Sequence, residues 1–299
     1  MQPLDRRGIR SPAATLGVMS NESVITVRGL RKSYGPSVAV DGIDLDISRG
    51  EVFALLGPNG AGKTTTVEIL EGYRHRDGGT VAVLGEDPAS GGRDWRARIG
   101  MVLQLTAEPE LTVTEMVRQF AGFYPQPRDP GEVIELTGLA GLEGRRGHQL
   151  SGGQLRRLDV ALGIVGRPEL LFLDEPTTGF DPEARRQFWD LIRKLAVEGT
   201  TILLTTHYMA EAEALADRVA VLANGRIVAL GAPAALGGRA TQDARVSWEA
   251  PEGRQTLQTA TPTRVVTGLA AQFGGEVPGL SIMRPSLEDV YLELIGADR

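Results

Sequence analysis

A glycine-rich loop with one lysine and two threonines carries the clearest chemistry in this chain. Residues 57–65 read Gly-Pro-Asn-Gly-Ala-Gly-Lys-Thr-Thr, directly after the apolar run 52–56. This is the pattern G-x-x-x-x-G-K-[ST] between a strand and a helix. The glycines let the backbone close around phosphate oxygens, and the helix points its N–H groups and positive dipole end at the same anion. The sequence therefore predicts a nucleoside-triphosphate site.

Each residue of this loop has an expected role. Lys63 reaches the β- and γ-phosphates, and the Thr64 hydroxyl binds Mg²⁺. The rest of the cradle consists of Gly57, Pro58, Asn59, Gly60, Ala61, Gly62 and Thr65. The alternative is an ordinary glycine-rich turn, because glycine is abundant at 38 of 299 residues. From ordinary residue frequencies, a chance match in such a chain has odds of about one in a hundred.

Two carboxylates end a second apolar run, at residues 170–173. Next to a phosphate loop, an acid at a neighbouring strand end is expected to hold Mg²⁺ directly or through water. Asp174 fits that role, and Glu175 is placed to act as the general base for the attacking water. The competing interpretation is structural, because strands often end in acidic turn residues.

Four further residues follow strands or turns and are candidates for nucleotide contacts. His207 follows the run 201–206 and is a candidate γ-phosphate sensor. The Gln104 amide can reach Mg²⁺ or the attacking water. Tyr34 either stacks on adenine or packs against the protein. Asp181 has a structural alternative as the cap of the helix that follows.

Residues 150–154, Leu-Ser-Gly-Gly-Gln, form a second glycine-rich element at a helix start. Ser151 can cap that helix, but a hydroxyl, N–H groups and a helix dipole also make an anion cradle. Two such cradles are not needed for one γ-phosphate. The second is therefore expected to serve the nucleotide of a partner molecule.

Composition limits the function classes. The net charge of −6 argues against a nucleic acid as the main partner, and the absence of cysteine excludes disulfides and thiolate sites. No apolar run approaches the roughly 18 residues that cross a bilayer. Residues 1–22 are expected to be a disordered tail, with Met19 as an alternative first residue.

The pattern of apolar runs predicts an α/β fold over residues 23–235. The expected strands are 24–30, a pair within 38–47, 81–84, 99–103, 170–173 and 201–205. A helical insertion is expected at about 106–166, and a crossover helix at 182–197. The sequence pattern changes at residues 236–299 and predicts a small C-terminal α+β domain. Within it, residues 286–289 resemble a capping box.

Together these motifs resemble the ATP-binding-cassette (ABC) ATPase family. Residues 57–65 resemble its Walker A loop, 150–154 its signature loop, 170–175 its Walker B strand and 179–181 its D-loop. Gln104, His207 and Tyr34 are similar to its Q-loop glutamine, switch histidine and adenine-stacking residue. The resemblance implies a P-loop NTPase cassette, with a RecA-like, mostly parallel sheet and antiparallel β and helical subdomains. It also implies ATP and Mg²⁺ as cofactors.

The resemblance further implies how the chain works. Two copies would close head to tail, so that Ser151 and Gly153, beside Gln154, bind the γ-phosphate held by Lys63 of the other copy. This homodimer would drive an integral-membrane permease on a separate chain, from the cytoplasmic face of the membrane. Residues 163–181 and 284–296 look like those of drug-resistance exporters of the daunorubicin type. An exporter of drug-like molecules is therefore expected.

Three alternatives remain for the function. ABC importer ATPases more often carry a larger regulatory C-terminal domain. Soluble ABC ATPases that act on DNA or the ribosome usually contain long coiled coils or two cassettes. A degenerate cassette that only binds is disfavoured by the intact Lys63, Asp174, Glu175 and His207.

Overall fold

The computed structural model describes residues 22–102, 110–238 and 243–296. The strands in these ranges are β1 (Ser23–Tyr34), β2 (Ser37–Ser48), β3 (Val52–Leu56), β4 (Gly78–Val83), β5 (Ile99–Val102), β6 (Leu170–Asp174), β7 (Thr201–Thr206), β8 (Arg218–Ala223), β9 (Arg226–Gly231), β10 (Ala244–Ala250), β11 (Gly253–Thr259) and β12 (Ser281–Met283). The α-helices are α1 (Lys63–Leu70), α2 (Arg93–Ala97), α3 (Val113–Ala121), α4 (Pro130–Leu136), α5 (Gly152–Ile164), α6 (Pro182–Val197), α7 (Met209–Leu215), α8 (Pro262–Phe273) and α9 (Leu287–Gly296). The predicted tail, apart from its last residue, lies outside the described residues. Among the described residues, no helix is long and apolar enough to cross a membrane.

Six strands form the central sheet, in the order β5-β6-β7-β3-β8-β9. The first five are parallel, and β9 pairs antiparallel with β8. Strands β3 and β7 are buried along their whole length, as expected for parallel strands covered on both faces. The predicted mostly parallel α/β sheet is confirmed.

A second, antiparallel sheet has the order β2-β1-β4. The prediction of two strands within 38–47 is wrong, because β2 is one continuous strand. Asp41-Gly42 has the composition of a hairpin turn, but its neighbours stay paired with β1 through register shifts. Pairing along the ladder thus overrides the local turn preference.

Helices α3, α4 and α5 form the helical insertion. On α5, Leu158 and Leu162 are buried in the main core together with Val165, and Leu155 packs against the same cluster. These residues follow one another at spacings of three or four, so they form one apolar face of the helix. Its apolar spacing anchors α5 and thereby fixes the glycine-rich element at the helix start.

The C-terminal residues form an antiparallel sheet in the order β11-β10-β12, with α8 packed on one face. Helix α9 packs elsewhere, because Leu287 and Tyr291 belong to the main hydrophobic core. The predicted capping box begins this helix: the Asp289 N–H donates to Ser286 Oγ at 3.0 Å, and the Ser286 N–H donates to Asp289 Oδ2 at 2.7 Å. The last helix therefore ties the C-terminal segment to the main core.

The packing of α9 on the core predicts that two leucines of this helix contribute very differently to the free energy of unfolding. Leu287 is fully buried, whereas Leu292 is 55% exposed. Leu287→Ala should lower the free energy of unfolding by about 2–5 kcal/mol, because it leaves a cavity in the core. Leu292→Ala should change it by less than about 0.5 kcal/mol. Urea unfolding followed by circular dichroism measures both, and equal losses would contradict the packing of α9 on the core.

Candidate nucleotide-binding site

Residues 57–62 form a tight loop between β3 and α1. A Cβ added to Gly57 would lie 2.5 Å from the carbonyl oxygen of Leu222, and one added to Gly62 would lie 2.3 Å from that of Ala39. Gly62 also has a φ of +102°, which L-residues rarely adopt. The loop can take this shape only with glycine at both positions.

The rest of the loop divides into a buried and an open part. Ala61 is buried at the base, whereas Pro58, Asn59 and Gly60 are exposed, and Thr65 lies partly covered in α1. The exposed backbone is therefore accessible to a ligand from solvent.

Lys63 is buried at the first position of α1. Its ammonium donates to the carbonyl oxygens of Gly57 at 2.8 Å and Pro58 at 3.2 Å. Burial lowers the pKa of Lys63, and the negative charges of Glu175 and Asp174 oppose that shift. Helix α1 begins without a side-chain cap. A cationic side chain and a positive helix end thus meet in one loop, which suits a polyphosphate.

Thr64 and Asp174 are the oxygen donors predicted for Mg²⁺ that the structure describes. Thr64 is exposed in the first turn of α1, and Asp174 ends β6. Hydroxyl and carboxylate oxygens suit Mg²⁺, which usually keeps several waters and takes further oxygens from substrate phosphates. These two donors therefore fit the ion. The third predicted ligand, Gln104, lies outside the described residues.

Thr205 organises both acids and was missed in the sequence. It is fully buried in β7. Its hydroxyl donates to the Asp174 carboxylate and accepts the Glu175 N–H, which lies 3.1 Å away. A threonine that ends the apolar stretch 202–204 was the available signal, because a buried hydroxyl needs a partner.

Glu175 lies in a strained turn directly after β6. Its φ is +43°, a conformation that costs a non-glycine residue on the order of 1–3 kcal/mol. Oε1 of Glu175 lies 3.3 Å from Nδ1 of His207, which follows β7. Strand order explains the meeting, because β6, β7 and β3 are neighbours and their carboxyl ends share one edge. The structure thus brings Lys63, Asp174, Glu175 and His207 together.

Tyr34 lies at the end of β1 with a partly exposed ring. The Lys32 ammonium is 5.6 Å and the Arg74 guanidinium 5.3 Å from its ring centroid. The paired strand β2 carries Ala39, whose carbonyl abuts Gly62. The β1–β2 hairpin therefore lies beside the phosphate loop, with an aromatic face that can stack on a base.

The second glycine-rich element occupies the start of α5. Ser151 and Gln154 form a capping box, in which the Ser151 N–H donates to Gln154 Oε1 at 2.9 Å. Within the described part of the chain, no hydrogen bond or ion pair joins Ser151, Gly153 or Gln154 to the residues after β3, β6 and β7. The hydrogen bonds of Ser151 and Gln154 in the described residues are therefore local to the start of α5.

Asp181 caps α6, since its Oδ1 accepts the Ala184 N–H at 2.8 Å. The helix-cap interpretation of this residue therefore describes its contact in the structure. Its expected contact with a nucleotide stays a prediction.

Two further charged residues near this edge were missed in the sequence. Arg156 is buried and donates to the carbonyl oxygens of Asp174 at 2.6 Å and Pro176 at 3.2 Å. Glu71 follows α1, and its burial raises its pKa to about 8, with the negative charges of Asp174 and Glu68 adding to the shift. Arg156 fixes the acidic turn through these two carbonyls, and burial keeps the pKa of Glu71 well above its usual range.

A mostly parallel sheet with a phosphate loop after β3 and two acids at the end of β6, with β7 between these two strands, defines a P-loop ATPase fold. The family described as "ABC transporter" matches residues 40–178. Nod factor export ATP-binding protein I of Burkholderia orbicola is 43% identical, over 71% of this chain and 72% of the relative. Daunorubicin resistance ATP-binding protein DrrA3 of Streptomyces coeruleorubidus is 36% identical, over 93% of this chain and 98% of the relative.

A solved structure shows the same fold. The dimeric post-hydrolysis state of the ATP-binding cassette MJ0796, bound to ADP and Pi, has a TM-score of 0.63 at 24% identity, over 70% of this chain and 98% of that one. The chain belongs to the ABC transporter family and is an ABC ATPase of the drug-exporter type. The predicted family is therefore confirmed.

The raised pKa of Glu71 predicts a pH-dependent effect on stability. Between about pH 4.5 and about pH 8 the folded chain keeps a proton that the unfolded chain releases. The free energy of unfolding therefore falls as pH rises through that window. Glu71→Gln removes this loss. The melting temperature of the variant minus that of wild type should therefore increase between about pH 5 and about pH 8, as measured by calorimetry. The exposed Glu135→Gln is the control, and a pH-independent difference for Glu71→Gln would contradict the burial of its carboxyl.

Proposed function

We propose that this chain is the ATP-hydrolysing subunit of an ABC exporter and drives efflux of a drug-like or other small molecule through a permease on a separate chain. One observation carries the proposal. Lys63, Asp174, Glu175 and His207 meet at the edge of the sheet beside a loop that requires glycine. This arrangement combines a phosphate anchor with a base for hydrolysis.

ATP binds with its phosphates in the loop 57–65 and its adenine against Tyr34. Lys63 turns its ammonium from the loop carbonyls to the β- and γ-phosphates, exchanging neutral acceptors for charged ones. Thr64, Asp174 and Gln104 would hold Mg²⁺, which would supply positive charge against the phosphates. Buried Thr205 keeps Asp174 in place through its hydroxyl.

Hydrolysis depends on Glu175 as the general base. Its N–H is fixed by Thr205, and its strained turn limits where the carboxylate can lie. The base accepts the proton of the attacking water, and His207 contacts the γ-phosphate while staying within 3.3 Å of Glu175. The contact couples the phosphate sensor to the base.

A second copy of the chain completes each site. In the part of the chain that the structure describes, Ser151, Gly153 and Gln154 make no hydrogen bond or ion pair with Lys63, Asp174, Glu175 or His207, although the start of α5 offers a hydroxyl and a helix N-terminus to an anion. In a head-to-tail homodimer they bind the γ-phosphate held by Lys63 of the other copy, and Asp181 contacts the same interface. The ATP-binding cassette MJ0796, which has the same fold, is itself dimeric in its post-hydrolysis state.

Export is supported by the names of the relatives, which refer to Nod factor export and daunorubicin resistance. The second relative also aligns over nearly the whole chain, including the C-terminal part that we assign to a small domain at 236–299. The chain would lie peripherally on the cytoplasmic face of the membrane. The cargo is then selected by the permease, with no nucleic acid involved.

Glu175→Gln tests this proposal. The amide keeps the shape of the side chain but accepts no proton, so hydrolysis should fall on the order of 10²- to 10⁴-fold while ATP still binds. With hydrolysis blocked, bound ATP should hold two copies together by mass action. Size-exclusion chromatography in ATP should show the variant as a dimer under conditions in which wild type elutes as a monomer.

Exposed Glu135→Gln is the matched control and should behave as wild type in both assays. A Glu175→Gln chain that hydrolyses ATP at the wild-type rate would remove Glu175 as the base. An inactive variant that binds ATP but never dimerises would instead contradict the shared site.

A further inference from the structure

The peptide group that precedes Glu175 is held from two sides. Its carbonyl oxygen belongs to Asp174 and accepts a hydrogen bond of 2.6 Å from Nη2 of Arg156, on α5. Its N–H belongs to Glu175 and donates to the carbonyl and the hydroxyl of Thr205, on β7, each at 3.1 Å. These bonds lie at opposite ends of one planar unit, so α5 and β7 together fix its orientation.

The orientation of this peptide group determines the backbone conformation of Glu175. A peptide plane rotates as one unit, so its rotation changes ψ of Asp174 and φ of Glu175 together. The φ of +43° at Glu175 lies in the left-handed region, which is unfavourable for a glutamate. Rotation of the plane toward a negative φ would relieve that strain. The strained conformation therefore persists because both ends of the peptide group are bonded.

Arg156 also holds the turn on the other side of Glu175. Its Nε donates to the carbonyl oxygen of Pro176 at 3.2 Å. One planar guanidinium thus bonds to the carbonyls of the residues before and after the proposed base. A lysine ammonium does not reproduce this fork of donors, because it is a compact point charge on a flexible stem.

Asp159 lies one turn further along α5 and orients the guanidinium. Its Oδ2 is 3.6 Å from Nη1 of Arg156, and both residues are buried. This ion pair compensates the buried charge, while Nε and Nη2 of Arg156 donate to the two carbonyls. Because Leu158 and Leu162 anchor α5 in the main core, the arginine contacts the turn from a fixed helix.

We propose that Arg156 is a positioning residue for hydrolysis, which holds the peptide group before Glu175 in the orientation that places the carboxylate beside His207. The guanidinium acts on the turn and not on ATP, so its loss slows hydrolysis without weakening ATP binding. The inference rests on the proposed function, because it requires Glu175 to be the base.

Arg156→Lys in the full-length chain tests this role. Lysine keeps a positive charge opposite Asp159 but cannot bond to both carbonyls. The value of kcat should therefore fall at least about tenfold, because a small misplacement of a reacting group has a large effect on the rate. The Kd for ATP, measured by equilibrium titration, should stay within about twofold of wild type.

Arg128→Lys is the matched control for the loss of a buried guanidinium. Arg128 and Arg156 are both 8% exposed. Arg128 pairs with Glu198 at 2.7 Å and lies beside the residues that precede β6 and β7, at the opposite edge of the sheet. This control should lower the melting temperature but keep the wild-type kcat.

The same exchange in a Glu175→Gln chain tests whether Arg156 acts through the base. Once the base is removed, Arg156→Lys should lower the residual single-turnover rate by no more than about a further twofold, because residues that act as one unit are not additive. The dimer that Glu175→Gln forms in ATP should persist. Losses that multiply, or a dimer that no longer forms, would overturn the positioning role.

Arg156→Met combined with Asp159→Leu provides an independent test without buried charge. Replacing a buried ion pair by apolar residues is often neutral or stabilising, so this chain should fold even if lysine is not tolerated. It should show the same loss of kcat at an unchanged Kd. A wild-type kcat in either folded variant, or an equal loss in Arg128→Lys, would contradict the role of Arg156. A wild-type chain without ATPase activity would instead remove the proposed function itself.

Discussion

The buried ammonium of Lys63 is the interaction on which the site depends. A lysine charge is costly to bury, and here it is satisfied by two loop carbonyls and by the nearby charges of Asp174 and Glu175. The loop can deliver those carbonyls only because Gly57 and Gly62 lack side chains. Burial of this one cation therefore requires this particular loop conformation. Phosphate oxygens carry negative charge and would bind the ammonium more strongly than the neutral carbonyls do.

The sheet supplies the other half of that arrangement. Strand β7 lies between β3 and β6, so that Thr205 can bond to Asp174 and Glu175 while His207 follows one residue beyond β7. The strain at Glu175 is tolerated because the Thr205 carbonyl and hydroxyl both hold its N–H. The four side chains thus meet at this edge of the sheet because of the strand order and one buried hydroxyl, rather than because of any single motif.

The sequence predicted the phosphate loop, the acids after β6 and the histidine after β7, because each has a local pattern with a mechanical reason. It predicted the α6 boundaries because apolar spacing and a proline at the first turn mark them. It failed at 38–47, where long-range pairing with β1 outweighs a turn-like Asp-Gly. Thr205, Arg156 and Glu71 were also missed, because their roles depend on contacts between segments that are distant in sequence.

The ATP affinity of the Lys63→Met variant is the most direct test of the role of the Lys63 charge. Methionine preserves much of the buried stem but removes the charge, so the fold should persist while the phosphates lose their partner. Equilibrium titration with ATP should show affinity at least about tenfold weaker than for wild type, because a charge-assisted hydrogen bond contributes about 1.5–3 kcal/mol. The exposed Lys194→Met is the control. Unchanged ATP affinity in a folded Lys63→Met chain would contradict the account.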